Sequence, residues 1–287
     1  MQNDPADLWT RTSERHPSFP PPFDEHCRLW RYMSIDRFRW LVGRRRLYMA
    51  RPDQLLSYDI REGTTPDGET AWWHAQITQA DNPEMADQLR MNRDRTRGFV
   101  DAYKTSWFIS CWHRNQQENY SFWRIYGRSE SMCESCGRAT VQSNQGVAVT
   151  TTFRRLESAL PAHVEVGCVR YRDNQTVAKN LLNIYDYIMN KRQYFEYEHE
   201  VRTVCSAVDT ISTGDPDWPT VAGDHISSNN VDGSYAPPID LVALIDGVII
   251  HPEASPTLVE QIGDLCKQAG LPSQRLSGLA PPSTAAG

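Results

Sequence analysis

The chain has 287 residues, a formal net charge of −6 at neutral pH, and seven cysteines. Its mild acidity excludes a global attraction to nucleic acid, and the lack of a long uninterrupted apolar run excludes a membrane-spanning helix. Without a secretory signal, an odd number of cysteines favours reduced thiols, so we expect a cytoplasmic protein with no membrane partner.

The N-terminal 25 residues are predicted to form a disordered or extended leader, because three consecutive prolines beginning at Pro20 exclude a helix. CRLWRYM then predicts a strand. Ser34 is a suitable N-cap for the helix SIDRFRWLVGRR, and LYMAR predicts a second strand. We expect a single α+β domain over 26–280 and a flexible tail over 281–287.

A helical insertion is predicted over 69–104, broken at Asn82–Pro83. Its four arginines from Arg90 to Arg97 spread around the outside of the helix, where they are either solvated or available to phosphate. The residues of its second half that we expect to contact the core are Met85, Leu89, Phe99, Val100 and Tyr103.

SWFISCWH predicts a strand, because it is aromatic and β-branched. Alternation places Phe108, Ser110 and Trp112 on one face. The other face carries Trp107, Ile109 and Cys111. A buried Ser110 would need a hydrogen-bond partner.

The loop insertion over 127–145 contains Cys133 and Cys136 in a CxxC pair. One such pair supplies two of the four ligands that zinc prefers. A zinc site would therefore need ligands from elsewhere, for which the candidates are His26, Cys27, Cys111 and His113. A redox-active pair and an uncoordinated loop are the alternatives.

The second half of the chain alternates irregularly between strands and helices. GVAVTTTF, VEVGCVRY and DLVALIDGVIIHP predict strands, whereas RRLESAL, TVAKNLLNIYDYIMNKR and SPTLVEQIGDLCKQAGL predict helices. Asp209 to Pro238 is rich in Gly, Asp, Ser and Pro and is predicted to be a loop. This order favours an α+β fold with a mixed or largely antiparallel sheet and helical insertions.

FEYEHEVR, from Phe195 to Arg202, is predicted to be a strand with one charged face. The residues predicted on that face are Glu196, Glu198, Glu200 and Arg202. Those on the opposite face are Phe195, Tyr197, His199 and Val201. The charged face either is solvated, with Glu200 and Arg202 paired along it, or lines a cleft.

Four ordered motifs resemble a bacterial family, domain of unknown function 2971. They are RYMSIDRFRWLVGRRRLYMARPDQL, SCWHRNQQENYSFWRIY, GVAVTTTFRRL and KRQYFEYEHEVR, and the resemblance runs from about Leu29 to Leu279. The chain departs from the family where a DPFE-like acidic element is usual, because SYDIRE stands there instead. The CESC insertion also departs from the family pattern.

The order of motifs is also similar to the ADP-ribosyltransferase fold. The residues that match are Arg31 in LWRYMS, Ser110 in FISCW, and Glu198 and Glu200 in EYEHE. The likeness implies an enzyme that uses NAD as co-substrate and an acceptor that is a protein or a nucleic acid. A bacterial defence or toxin-type effector would fit this activity.

The chemistry of NAD cleavage suggests a role for each matched residue. Arg31 would bind the diphosphate, and Tyr32 or Trp112 would stack on nicotinamide or adenine. Ser110 would orient Glu200, whose carboxylate would stabilise the oxocarbenium-like ribose. Glu198 would deprotonate or position the acceptor.

Two other functions fit the same carboxylates. In a metal-dependent nuclease or phosphoesterase, Glu196, Glu198 and Glu200 would hold Mg²⁺ with help from Asp59 or Glu62. The groups available to phosphate would then be Lys191, Arg192 and the Arg90 to Arg97 run. In a non-enzymatic binding or regulatory module, the charged row would be a salt-bridge ladder only.

Overall fold

The computed structural model describes residues 15–55, 64–132, 139–142, 144–173, 183, 185–207 and 224–279. The strands are β1 Arg28–Ser34, β2 Trp107–Arg114, β3 Ser129–Met132, β4 Ala139–Gln142, β5 Gly146–Thr152, β6 Glu165–Cys168, β7 Arg170–Arg172, β8 Asn190–Arg192, β9 Glu200–Ser206, β10 Asn230–Val231, β11 Ser234–Tyr235, β12 Gly247–Ile250 and β13 Arg275–Leu276. The helices are α1 Ile35–Arg44, α2 Pro52–Leu55, α3 Asp67–Thr78, α4 Pro83–Lys104, α5 Tyr120–Tyr126, α6 Phe153–Ser158, α7 Asp186–Met189, α8 over 224–228, α9 Leu241–Leu244 and α10 Pro256–Ala269.

The fold is α+β with mostly antiparallel strand pairs, as the sequence predicts. The chain divides into two compact units. Unit 1 comprises Met1–Pro21, Tyr48–Cys111 and Pro161–Ala236, and unit 2 comprises Pro22–Leu47, Trp112–Leu160 and Pro237–Gly287. Strand β2 is divided between them at Cys111. A single domain over 26–280 stays a prediction.

Unit 2 contains the strand order β13-β12-β5-β1 followed by the end of β2. Strands β1 and β5 pair along their whole length, from Arg28 opposite Thr152 to Ser34 opposite Gly146. Ser34 then begins α1, because its hydroxyl accepts a hydrogen bond from the backbone N–H of Arg37. The predicted strand, cap and helix are therefore confirmed here.

The core of unit 2 is aromatic. Tyr32 lies in a row of near-parallel rings, with centroids 6.0 Å from Trp30 and 5.5 Å from Phe122, and meets Trp123 edge-on at 4.9 Å. We call these four residues the aromatic cluster. Offset and edge-to-face packing of this kind adds to the stabilisation from apolar burial.

Unit 1 contains the beginning of β2, then β9 and β6. The backbone N–H of Ala207, directly after β9, donates to the carbonyl of Ser106, directly before β2, so the two neighbouring strands run antiparallel. Trp107, Ile109 and Cys111 of β2 face an apolar core, whose other buried members are Phe19, Val100, Tyr187, Ile188, Met189 and Val204. This core fixes the strand face from which Glu200 and Arg202 project.

The predicted leader is partly wrong, because Phe19 is fully buried in the core of unit 1. Its backbone lies against Gly167, where any side chain would collide with it. The carbonyl of Pro20 accepts a hydrogen bond from the backbone N–H of Cys168, which adds this segment to the edge of β6. A proline-rich segment can therefore pair with the edge strand of a sheet, because proline lacks the backbone N–H but keeps the carbonyl that accepts a hydrogen bond.

Two of the predicted core contacts of α4 are wrong. Met85 and Phe99 are 48% and 61% exposed, whereas Val100 is buried and Leu89 is half-buried. The inward face follows Ala86, Leu89 and Val100, because these positions share one side of the helix. The side chain of Tyr103 lies outside the described residues.

Several predicted loops and helices differ in detail. The strand predicted at VEVGCVRY is divided into β6 and β7, and the apolar run DLVALIDGVII begins with helix α9 before β12. The predicted loop from Asp209 contains α8 and the hairpin β10–β11. Within the described ranges, no helix has the length and apolarity required to cross a bilayer.

Candidate functional site

The predicted strand from Phe195 to Arg202 is wrong in its first half. Gln193–Glu198 form a 3-10 helix, and His199 adopts a left-handed backbone with φ of 40°. Strand β9 begins only at Glu200. The row of three carboxylates on one strand face therefore does not form, and Glu196 is exposed on the 3-10 helix.

The turn at His199 instead brings two carboxylates to one ammonium group. Lys191 Nζ donates to Glu198 Oε2 at 2.6 Å and to Glu200 Oε2 at 3.3 Å. All three side chains are buried or nearly so. A shared cation offsets the repulsion that two adjacent carboxylates would otherwise have in a poorly solvated site.

Arg202 completes the group that we call the charge cluster: Lys191, Glu198, Glu200 and Arg202. Arg202 Nε and Nη2 donate to Glu200 Oε1 and Oε2 at 2.9 and 3.0 Å, in a two-pronged pair. Arg202 Nη1 donates to the carbonyl of Ile188, and the whole side chain is 1% exposed. The pairing of Glu200 and Arg202 considered from the sequence is present, but it is buried.

Two further groups surround Glu200. The Cys111 thiol donates to the carboxylate of Glu200. The backbone N–H of Glu200 donates to Tyr171 Oη at 2.7 Å. Burial, followed by the charge of Glu200, raises the pKa of both the Cys111 thiol and the Tyr171 phenol. Glu200 thus receives hydrogen bonds from Arg202, Lys191 and Cys111 together, which fixes its orientation.

The two carboxyl groups have their pKa values displaced in opposite directions. Burial tends to raise the pKa of Glu200, but the charges of Arg202 and Lys191 outweigh it and lower that pKa. Burial, and then the charge of Glu200, raises the pKa of Glu198 against the opposing effect of Lys191. Titratable pairs perturbed in this way occur often at acid–base sites.

Ser110 does not take the predicted role of orienting Glu200. It is buried in β2, but its side chain lies on the opposite face from Cys111, which is the residue that contacts Glu200. Among the described residues, the Ser110 hydroxyl has no hydrogen-bond partner. The serine-to-carboxylate bond inferred from the sequence is therefore replaced by a thiol-to-carboxylate bond one residue later.

The predicted cofactor residues Arg31, Tyr32 and Trp112 belong to unit 2. The Arg31 guanidinium lies 5.7 Å from the centroid of the Trp112 ring, so the structure brings these two together. Tyr32 is buried in the aromatic cluster, and its hydroxyl accepts the backbone N–H of Asn119 at 2.9 Å. The ring of Tyr32 is engaged with its neighbours in the cluster.

The 3-10 helix presents aromatic rings beside the charge cluster. Tyr194 and Tyr197 are 81% and 47% exposed. Phe195 lies under Lys191 Nζ at 4.7 Å and under the Arg192 guanidinium at 5.1 Å. Sequence reasoning missed Phe195 and Tyr171 as site residues, although the placement of Lys191 and Arg192 before an aromatic run was the available signal.

Some of the predicted metal ligands lie outside the described residues. Cys133 and Cys136 of the CxxC pair are among them, as are Asp59 and Glu62 of the nuclease hypothesis. Across the part of the chain that the structure describes, no three His, Cys, Asp or Glu side chains converge as metal ligands. The five cysteines in that part are not joined by disulfide bonds, and the expectation of reduced cysteines stays a prediction.

Comparison with known proteins gave no match to a family model, a curated protein or a solved structure. The resemblance to the domain of unknown function 2971 family, and the more distant likeness to ADP-ribosyltransferases, therefore stay predictions from motifs.

Proposed function

We propose that the chain is an ADP-ribosyltransferase-like enzyme that uses NAD as co-substrate, with the charge cluster as its carboxylate site. Two observations on the same residues support this proposal. Lys191 Nζ donates hydrogen bonds to both Glu198 and Glu200, and the pKa values of the two carboxyl groups are displaced in opposite directions. Glycosyl transfer uses two carboxyl groups in different roles, and environments that separate their pKa values suit that division.

In the proposed reaction, the bond between the nicotinamide nitrogen and ribose C1′ breaks. Its electron pair leaves with nicotinamide, and positive charge develops on the ribose. A nucleophilic oxygen or nitrogen of the acceptor then bonds to C1′ and gives its proton to Glu198. A carboxylate with a raised pKa is a stronger base than an ordinary one, so Glu198 is suited to this transfer.

Glu200 is proposed as a positioning residue rather than as the group that touches the ribose. Its two oxygens already accept hydrogen bonds from Arg202, Lys191 and Cys111. Through Lys191 it holds Glu198 in place, and its charge helps to raise the pKa of Glu198. This assignment reverses the priority that the sequence suggests for the two carboxylates.

NAD binding by Arg31 and Trp112 stays a separate prediction from the sequence, because Trp112 shares the face of β2 that carries Ser110 and not the face that meets Glu200. A guanidinium resting on an indole ring combines a cation for the diphosphate with an aromatic face for a base. Isothermal titration calorimetry should detect NAD binding to the wild type and a large loss of affinity in Arg31→Ala. Equal affinities in the two proteins would contradict this prediction for Arg31.

Nicotinamide release from NAD tests the proposed role of Glu198. Glu198→Gln preserves the size of the side chain but cannot accept a proton, so turnover should fall on the order of 100-fold or more. Glu196→Gln is the matched control, because Glu196 lies exposed on the same 3-10 helix and should behave as wild type. A wild type that releases no nicotinamide with protein or nucleic-acid acceptors would defeat the proposed activity, and equal turnover in Glu198→Gln would defeat this role for Glu198.

A non-enzymatic binding module is the second candidate, and the exposed rings of Tyr194 and Tyr197 favour it. Exposed aromatic side chains next to cations are frequent in recognition surfaces. If NAD neither binds nor is cleaved, while Tyr194→Ala and Tyr197→Ala abolish capture of a defined partner, the module replaces the enzyme. NAD cleavage by the double alanine variant at the wild-type rate would leave the rings outside catalysis.

A further inference from the structure

Tyr235 in unit 1 lies with its hydroxyl between two imidazole rings. Its Oη is 2.9 Å from His163 Nε2 and 2.8 Å from His225 Nδ1. The tyrosine is fully buried, whereas both histidines are half-buried, and the centroids of the two imidazoles are 5.4 Å apart. We call these three residues the histidine–tyrosine trio.

Local backbone structure fixes Tyr235 on a two-residue hairpin. Strands β10 and β11 are joined by Asp232 and Gly233, which both have positive φ, as the tight hairpin turn requires. Tyr235 also exchanges backbone hydrogen bonds with Met49, which anchors the hairpin from a second side. The backbone of Tyr235 is therefore hydrogen-bonded on both sides, to β10 and to Met49, and this fixes the position from which its phenol projects.

The two histidines come from separate backbone elements. His225 belongs to α8, where its carbonyl accepts a hydrogen bond from Asn229 Nδ2. His163 lies in the turn before β6, closed by the bond from the Val164 N–H to the Pro161 carbonyl. Three separately fixed segments thus place two imidazole nitrogens within hydrogen-bond distance of one phenol oxygen.

Few hydrogen atoms are available to the phenol oxygen of Tyr235 and the two imidazole nitrogens that face it. A phenol has one O–H hydrogen, so its oxygen can donate to one imidazole nitrogen and must accept from the other. Two hydrogens therefore lie among three atoms that are all good ligands for transition metals. Imidazole nitrogen and phenolate oxygen bind divalent ions such as Zn²⁺ and Cu²⁺ well.

We propose that His163, His225 and Tyr235 form a binding site for a divalent first-row transition metal ion of the zinc class. Two ligand atoms about 2.05 Å from a tetrahedral ion are about 3.3 Å apart. The two nitrogen–oxygen distances in the trio, 2.9 and 2.8 Å, are shorter than this value by about 0.5 Å. The ligands can therefore accept an ion with only small movements.

Metal binding to the trio balances without any further reactant. The phenol proton leaves to solvent, and the imidazole that donates to the phenol changes tautomer, so that its hydrogen moves from the ligand nitrogen to the other ring nitrogen. Three protein ligands leave a fourth position of a tetrahedral ion for water or a substrate group. The half-buried imidazoles give the ion a route in, and the proposal is independent of NAD chemistry.

Zinc titration by calorimetry tests the site in a Cys133→Ser/Cys136→Ser background, which removes the CxxC pair as a competing ligand. We expect about one equivalent of Zn²⁺ in this background and at least a roughly 10-fold weaker affinity after His163→Ala or His225→Ala. Tyr48→Phe is the matched control, because it removes a phenol that contacts Ser234 and leaves the trio intact. Its zinc affinity should be unchanged.

Zinc X-ray absorption of the same background protein provides a test that needs no substitution in the trio. The expected first shell contains two imidazole nitrogens and one or two oxygens, without sulfur. Absence of stoichiometric binding, or unchanged affinity in both histidine variants, would overturn the metal site. The trio would then be a hydrogen-bonded connection among three segments and nothing more.

Discussion

The charge cluster of unit 1 and the aromatic cluster of unit 2 are both buried, but different forces hold them. In the charge cluster, Arg202 and Lys191 make directed hydrogen bonds to Glu200, and the loss of one partner leaves a buried charge. In the aromatic cluster, Tyr32 is surrounded by rings that pack without formal charge. The first region should be sensitive to pH and to single substitutions, whereas the second should respond mainly to lost contact area.

Arg202→Met should produce the largest effect, because it leaves Glu200 buried without its two-pronged partner. We expect a loss of about 3–5 kcal/mol in the free energy of unfolding, measured by urea denaturation. The double variant Arg202→Met/Glu200→Leu removes both charges and should recover much of this loss.

An exposed ion pair gives the control for Arg202. Arg39→Met breaks the surface pair with Asp36 and should change the unfolding free energy by less than about 1 kcal/mol. If Arg202→Met lowered the free energy of unfolding by no more than Arg39→Met does, the ion pairs of the charge cluster would contribute no more to stability than a surface ion pair. The contrast between the two units would then fail.

The pH dependence of stability should separate the two carboxylates by sign. The folded-state pKa of Glu198 is raised by burial and by Glu200, so its stabilising contribution is full below its unfolded pKa of about 4.3 and is lost as pH rises through the folded pKa. For Glu200 the folded pKa is lowered, so its contribution is present above about pH 4.3 and is lost as pH falls towards its folded pKa.

Unfolding titrations of Glu198→Gln and Glu200→Gln measure these contributions. Relative to wild type, Glu198→Gln should gain stability as pH rises above about 4, and Glu200→Gln should lose its disadvantage as pH falls below about 4. Each unit of pKa difference corresponds to about 1.4 kcal/mol. Parallel pH profiles for the two variants would contradict the opposite displacement of the two pKa values.

The sequence was sufficient where local chemistry decides the structure. The N-cap at Ser34 and the alternating strand residues around Ser110 predict elements that the structure contains, and their irregular order predicts the α+β class. Helix α4 shows the limit, because apolar spacing alone placed Met85 and Phe99 inside while tertiary packing leaves them exposed.

The candidate site was less predictable because it depends on a turn that composition hides. FEYEHEVR alternates like a strand, but His199 takes a positive φ that is uncommon outside glycine, so the alternation stops there. The pairing of Lys191 with Glu198 and Glu200 follows from that turn. The neighbour of Glu200 is Cys111 and not Ser110. The sequence could not show this, because neither strand alone tells which face of β2 meets the Glu200 side chain of β9.

Tyr32→Phe should have the smallest effect and shows how the aromatic cluster differs from the charge cluster. The substitution keeps the stacked ring and removes only the hydroxyl that accepts the Asn119 N–H, so we expect a loss of about 0.5–1.5 kcal/mol. Burial raises the pKa of Tyr32, so the phenol stays neutral and the loss should be the same from pH 4 to pH 8. Urea unfolding at several pH values measures it, and a loss that varied strongly with pH would place a titrating group in the aromatic cluster.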